Sequence, residues 1–229
     1  MLAIAGAAGN VGPTVSRKLA DEGAVLALAG RRLEELDALA AEIGGGDVET
    51  ASVDFLDLAA TRAWAEALAA QRGRVDGLVH LVGGWWSSPP IEEAPLSDWD
   101  RFHDLLVRTY QHTTQAIAPH LLAGGRGRIV LVSPAQAQHP TSRNASYAAA
   151  KAAAEAWTLA FADRFRGTGS TANIVVVGSI VTPQMREESP ERDFAASTRA
   201  EDIADAIAYL CSEGASSMNG QRLTLRGAA

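Results

Sequence analysis

Only one cysteine, Cys211, stands in the 229 residues, which excludes an intrachain disulfide and a cysteine-rich zinc cluster. It is expected to pack as a small apolar side chain. Lysine is almost as scarce: of 20 basic residues only Lys18 and Lys151 are lysines. A net charge of −7 lacks the basic footprint of a nucleic-acid binder, so no nucleic-acid partner is expected. No apolar run approaches the roughly 20 residues of a membrane span. No basic segment precedes the apolar start Met1–Gly6 either, so neither a membrane partner nor a cleavable signal is expected. The cytoplasm is the expected compartment. No repeat or linker interrupts the chain.

What is present is alternation. Short apolar runs predict strands at Leu2–Ala5, Ala24–Ala29, Val48–Val53, Val75–Val82, Arg128–Ser133, Ala172–Val177 and Arg222–Leu225. Between them, helical patterns predict helices over Val11–Glu22, Arg32–Ile43, Leu58–Gln71, Ser97 to Leu122, Ala145–Phe165 and Thr198 to Leu210, the second closed by Gly44-Gly45-Gly46. Ser97-x-x-Asp100 and Thr198-x-x-Glu201 read as capped helix starts, and Pro119 as a kink in a last turn. Near-continuous apolar strands between helices predict an α/β fold: a Rossmann-type, doubly wound parallel sheet of about seven strands with helices on both faces. Residues 1–229 read as one domain. Two long loops, Gly83–Ser97 and Val181–Ser197, follow the fourth and sixth strands, at the carboxyl edge where such sheets bind ligands.

Tyr147 and Lys151 lie one helical turn apart and share a face. A free phenol, with a pKa near ~10, is a poor proton source at neutral pH, and a cation within about 4–6 Å lowers that value. The pair is a candidate proton donor and its activator; the other reading is an exposed helix pair without chemistry. Gly6-Ala7-Ala8-Gly9-Asn10-Val11-Gly12 follows the first strand and opens a helix. Glycines there let a backbone approach a pyrophosphate whose charge the helix-start amides stabilise. A tight turn without a ligand is the alternative.

On these residues the chain resembles the short-chain dehydrogenase/reductase family over its full length. The opening Thr-Gly-x-x-x-Gly-x-Gly signature appears as Ala5–Gly12, without its threonine and middle glycine. Asp54, before Phe55, matches the aspartate that binds adenine. Val79–Gly83 sits at the Asn-Asn-Ala-Gly element and keeps only the glycine. Tyr147-Ala-Ala-Ala-Lys151 matches the catalytic pair. Val177-Gly178-Ser179-Ile180-Val181-Thr182-Pro183 matches the segment beside the nicotinamide, and Asn219-Gly220-Gln221 the C-terminal turn. The resemblance implies a cofactor site at Gly6, Gly9, Asn10, Val11, Gly12, Asp54, Phe55, Val82, Gly83, Gly84, Lys151, Gly178, Ile180 and Thr182. It also implies a homodimer or homotetramer built on the Trp99–Leu122 and Ala145–Phe165 helices.

Two departures concern catalysis. Pro134 stands thirteen residues before Tyr147, where the family has its serine, and Ser133 is one residue out of register. Leu106 stands where an asparagine is usual. Losing one preorganised donor to a developing oxyanion costs about 10²–10³ in rate, so an ordinary ketone would be reduced poorly. A narrower resemblance, to dihydropteridine reductase, rests on Gly83-Gly84-Trp85-Trp86, the missing serine and asparagine, and Thr182-Pro183-x-Met185-Arg186 with Asp193-Phe194. It implies an electron-poor, quinonoid type of substrate.

The second strand ends at Gly30 without the acid that NAD-preferring members carry, and Arg31 and Arg32 follow. Guanidinium forks suit the 2′-phosphate of NADP(H), with NAD(H) the other possibility; solvated arginines at a helix start are the alternative reading. Trp85 and Trp86 can stack a flat small-molecule substrate or pack their loop, and at most one easily faces the sheet. Ser133, Pro134, His139 and Tyr147 complete the expected substrate side. His139 or Gln138 would substitute for the missing serine, unless His139 is a surface residue; His80 reads as a core residue. The sequence thus supports an NAD(P)H-dependent reductase of electron-poor carbonyls, imines or quinonoids. Its rivals are a catalytically impaired dinucleotide-binding redox sensor or assembly subunit, and an oligomer scaffold.

Overall fold

Leu2–Ala5 is buried on both faces, which is why this uncharged run becomes a central strand rather than an edge. The computed structural model describes residues 1–44 and 47–227. In chain order it runs β1 (Leu2–Ala5), α1 (Gly12–Asp21), β2 (Leu26–Gly30), α2 (Leu33–Ile43), β3 (Val48–Ser52), α3 (Leu58–Arg72), β4 (Gly77–His80) and α4 (Ser97–Phe102). A π-helical turn, His103–Arg108, joins α4 to α5 (Thr109–Gly124). There follow β5 (Arg128–Pro134), α6 (Ala145–Arg164), β6 (Thr171–Val177), β7 (Ile180–Val181), α7 (Pro183–Glu188), β8 (Thr198–Arg199), α8 (Ala200–Cys211) and β9 (Arg222–Thr224).

Seven strands pair in the order β3-β2-β1-β4-β5-β6-β9, all in parallel. Alternate residues face opposite sides. Ile4, Leu28, Val79 and Val130 pack on α1, α2 and α8; Ala3, Leu78, Ile129 and Leu131 pack on α3, α5 and α6. This is the expected doubly wound α/β sheet. The strand order reverses between β1 and β4, so the loops leaving those strands open a crevice at the carboxyl edge. Gly6 closes its floor. Its φ is 84°, and a Cβ there would lie 2.7 Å from the Val82 amide nitrogen, so only glycine lets the two loops meet.

Several local expectations are corrected. Val181–Ser197 is no bare loop: Pro183 starts α7, and Ile180–Val181 pairs with Thr198–Arg199 in a second small parallel sheet. Thr198 caps no helix. Its hydroxyl receives the Gly178 amide and donates to the Arg226 carbonyl. Ser97 lies inside α4 with no side-chain cap before it. Helix α5, expected to run to Leu122, continues to Gly124 with Pro119 inside it. Of the expected glycine closure of α2, Gly44 is the C-cap, while Gly45 and Gly46 lie outside the described residues. Among the described residues no helix is long and apolar enough to cross a membrane.

Candidate active site

The crevice is a cleft of about 460 Å³ whose lining includes Gly6, Gly9, Arg31, Asp54, Gly83 and Trp86. Its floor is the first turn after β1, where the Gly9 amide bonds the Gly6 carbonyl at 2.9 Å. Helix α1 starts there with no side-chain cap; the Gly12 amide bonds the Gly9 carbonyl and Pro13 brings none, so of its first three residues Thr14 carries the amide left for an anion. Asn10 is exposed; Val11 and Gly12 are buried, with the Val11 side chain in the core.

At the β2 end, a Cβ on Gly30 would meet nothing within 4 Å, so the place of an acidic side chain is open. Arg32 is tied back: its guanidinium donates to the Ala8 carbonyl and pairs with Glu35 at 2.7 Å. Arg31 is exposed beside the cleft and its guanidinium has no recorded partner among the described residues. Asp54 is exposed and accepts the Leu56 amide at 3.0 Å. The Phe55 ring is buried against Trp64 and its carbonyl bonds His112. On the opposite wall, Val82 is half-buried and Gly83 and Gly84 are exposed. The Gly178 amide is held by Thr198 at 2.9 Å, Ile180 pairs in β7, and the Thr182 hydroxyl caps α7 through the Met185 amide at 3.2 Å. A glycine floor, an uncapped helix start, an unpaired guanidinium and an open side at Gly30 fit a dinucleotide.

Tyr147 and Lys151 both come from α6. The Tyr147 ring is half-buried, 5.3 Å from Phe102. Lys151 is buried, and its ammonium donates to the Val132 carbonyl at 3.0 Å. Burial pushes the Tyr147 phenol up to about 12. Burial also lowers Lys151 to about 8, against the opposing pull of Glu155. Desolvation is the cause that acts on the phenol, and the expected lowering of Tyr147 by its lysine is not seen. Such a phenol keeps its proton through the neutral range, which suits donation rather than abstraction.

Pro134 ends β5 opposite Val177 and brings no donor. Ser133 is corrected as a substrate contact: it is fully buried and donates to Glu155 at 2.6 Å. Glu155 also accepts Arg222 at 2.7 Å, so a buried network joins β5, α6 and β9. Leu106, in the π-helical turn, packs with Phe102, Val107 and Ala150, against which Tyr147 and Trp86 also lie. Trp86 stacks on Phe102 with centroids 3.6 Å apart and planes 8° apart, and the Arg101 guanidinium covers it at 4.5 Å. Trp85 is 62% exposed and outside this cluster. His139 is exposed with only its backbone amide engaged, which is the surface reading.

Two kinds of residue escaped the sequence reading. Arg101, Asp104, Leu105 and Thr109 line the cleft. Their spacing of three and four is the helical stripe that could have revealed them. Glu155, one turn beyond Lys151, announced its network only by that spacing.

A family model described as enoyl-(acyl carrier protein) reductase matches residues 6–227. Sulfoacetaldehyde reductase 2 of Chromohalobacter salexigens is 30% identical, over 90% of this chain and 86% of its own. A short-chain type dehydrogenase/reductase from Mycobacterium ulcerans superposes with a TM-score of 0.90 at 24% identity, covering 99% of this chain and 88% of its own. A short-chain oxidoreductase from Pseudomonas aeruginosa PAO1, with NADPH bound and an atypical catalytic center, superposes at 0.88 and 22% identity, covering 99% and 95%. The family match spans nearly the whole chain and takes in the crevice and the Tyr147–Lys151 pair: the protein belongs to the short-chain dehydrogenase/reductase family of oxidoreductases.

Proposed function

We propose that the protein is an NADPH-dependent reductase of electron-poor carbonyl, imine or quinonoid small molecules. The observation that carries this reading is Tyr147, a phenol kept protonated by burial one turn from a buried lysine. It joins the cleft through Phe102 and Trp86. The bound nicotinamide supplies hydride. The glycine loop and the start of α1 hold the pyrophosphate, Asp54 the adenine, Arg31 the 2′-phosphate and Lys151 the ribose hydroxyls. Tyr147 gives its Oη proton to the oxygen or nitrogen that becomes basic as hydride arrives. An alkoxide is far more basic than a phenolate, so with a carbonyl substrate this transfer runs downhill even from about 12.

Pro134 and Leu106 bring no donor to the developing anion. A substrate already short of electrons tolerates that loss, whereas a plain ketone loses about 10²–10³ in rate. Phe102 covers one face of Trp86 and the Arg101 guanidinium the other, so a flat substrate, of which a quinonoid dihydropteridine is one example, would stack there only in place of Arg101. A homodimer or homotetramer packed through α5 and α6 belongs to this reading. The test is NADPH oxidation against a panel of quinonoids, imines and diketones. Tight NADPH binding with no turnover on any of them would favour the redox sensor or assembly subunit instead.

A further inference from the structure

His80 ends β4, in register with Ala5 of β1 and Leu131 of β5. Its side chain is 1% exposed and tilts against the Tyr110 ring at 4.9 Å. Its Nδ1 lies 3.1 Å from the Thr113 hydroxyl, which also lies 3.1 Å from the Tyr110 carbonyl. A hydroxyl has one proton, and a carbonyl can only accept. Thr113 therefore donates to Tyr110 and accepts from His80. The neutral ring carries its hydrogen on Nδ1, and Nε2 is a bare lone pair. Among the described residues this buried Nε2 has no partner. Buried polar atoms without partners are rare, and this one calls for a donor.

Lys151 approaches on the same face of the sheet. Its ammonium bonds the carbonyl of Val132, the residue after His80's register partner on the adjacent strand. That bond uses one of three ammonium hydrogens. We propose that His80 Nε2 is the inward acceptor of the Lys151 ammonium across one bridging water, and so is a positioning residue for Lys151. The other charged or titratable groups around the pair are Tyr147 and Glu155, on the same helix as Lys151, and Tyr110 of α5 against the His80 ring. Glu155 is already engaged by Ser133 and Arg222. Burial and the lysine charge hold His80 neutral, down to about 3. A neutral acceptor fixes the ammonium without cancelling its charge, as a carboxylate would. The sequence hid this because His80 stands in an apolar strand, where a histidine reads as core.

The inference adds to the donor reading of the Tyr147–Lys151 pair, and its test needs no turnover. The chain has two lysines, Lys18 and Lys151, so lysine labelled with carbon-13 gives two titrating signals, the first an internal control. In the wild type, nitrogen-15 NMR of His80 should show hydrogen on Nδ1 and a lone pair on Nε2. In His80→Leu, the ammonium loses an acceptor, and the Lys151 midpoint should fall by about one unit. His80→Gln keeps an acceptor and should restore most of that shift. Hydrogen on Nε2 in the wild type, or a folded His80→Leu protein with an unmoved Lys151 midpoint, overturns the proposal. A glutamine variant that titrates like the leucine variant does so as well.

Discussion

Single side chains in this site do their work through what burial does to them. Tyr147 holds its proton because it is desolvated, and Arg31 stands exposed beside the cleft while Arg32 is tied to Ala8 and Glu35. Arg31→Ser should therefore weaken NADPH about tenfold and leave NADH nearly unchanged, as titration calorimetry with both cofactors would read. Glu155 is 2% exposed and holds both Ser133 and Arg222. Glu155→Ala leaves the buried Ser133 hydroxyl unpaired and releases an exposed guanidinium to water, and should lower stability by roughly 1–2 kcal/mol in chemical denaturation. At this scale the sequence was legible where spacing carries chemistry, as in Tyr147 and Lys151. It was not legible where direction decides. Ser133 stands beside the expected serine position, yet the alternation of β5 turns it onto α6, and no neighbouring residue announces that.

At the scale of elements, α4, the π-helical turn and α5 form one wall of the cleft. The π-helical turn places Leu106 among Phe102, Val107 and Ala150, where an amide would have been buried. Such turns are rare and gather at functional sites, and no residue pattern predicted this one. Pro119 is exposed and sits inside α5, where it removes a helical hydrogen bond. Pro119→Ala should raise stability by roughly 1 kcal/mol, seen as a higher Tm with unchanged NADPH affinity. Strand existence and order were legible because both faces of the sheet are covered, which makes each strand an apolar run. The small β7–β8 sheet was not, because two-residue strands leave no period to read.

For the whole molecule, buried titrating groups set how stability follows pH. His80 is neutral when folded, with its pKa lowered from 6.5 to about 3, so the unfolded chain binds the extra proton. Its contribution is complete above pH 6.5 and is lost as pH falls toward 3. Tm measured from pH 7 down to pH 4 should fall more steeply for the wild type than for His80→Leu. Tyr147 acts at the other end: its raised pKa gives stability that is lost as pH rises from 10 toward about 12. The overall architecture, a cleft at the point where strand order reverses, was the most legible level of all. Many weak local signals agree on it. The central claim, that Tyr147 donates the proton in an NADPH-dependent reduction, is tested most directly by single-turnover NADPH oxidation in the wild type and in Tyr147→Phe. A quinonoid, imine or diketone that the wild type reduces is the substrate for both. The account predicts a loss of about 10²–10⁴ in rate with unchanged NADPH affinity; equal rates in the two proteins would contradict it.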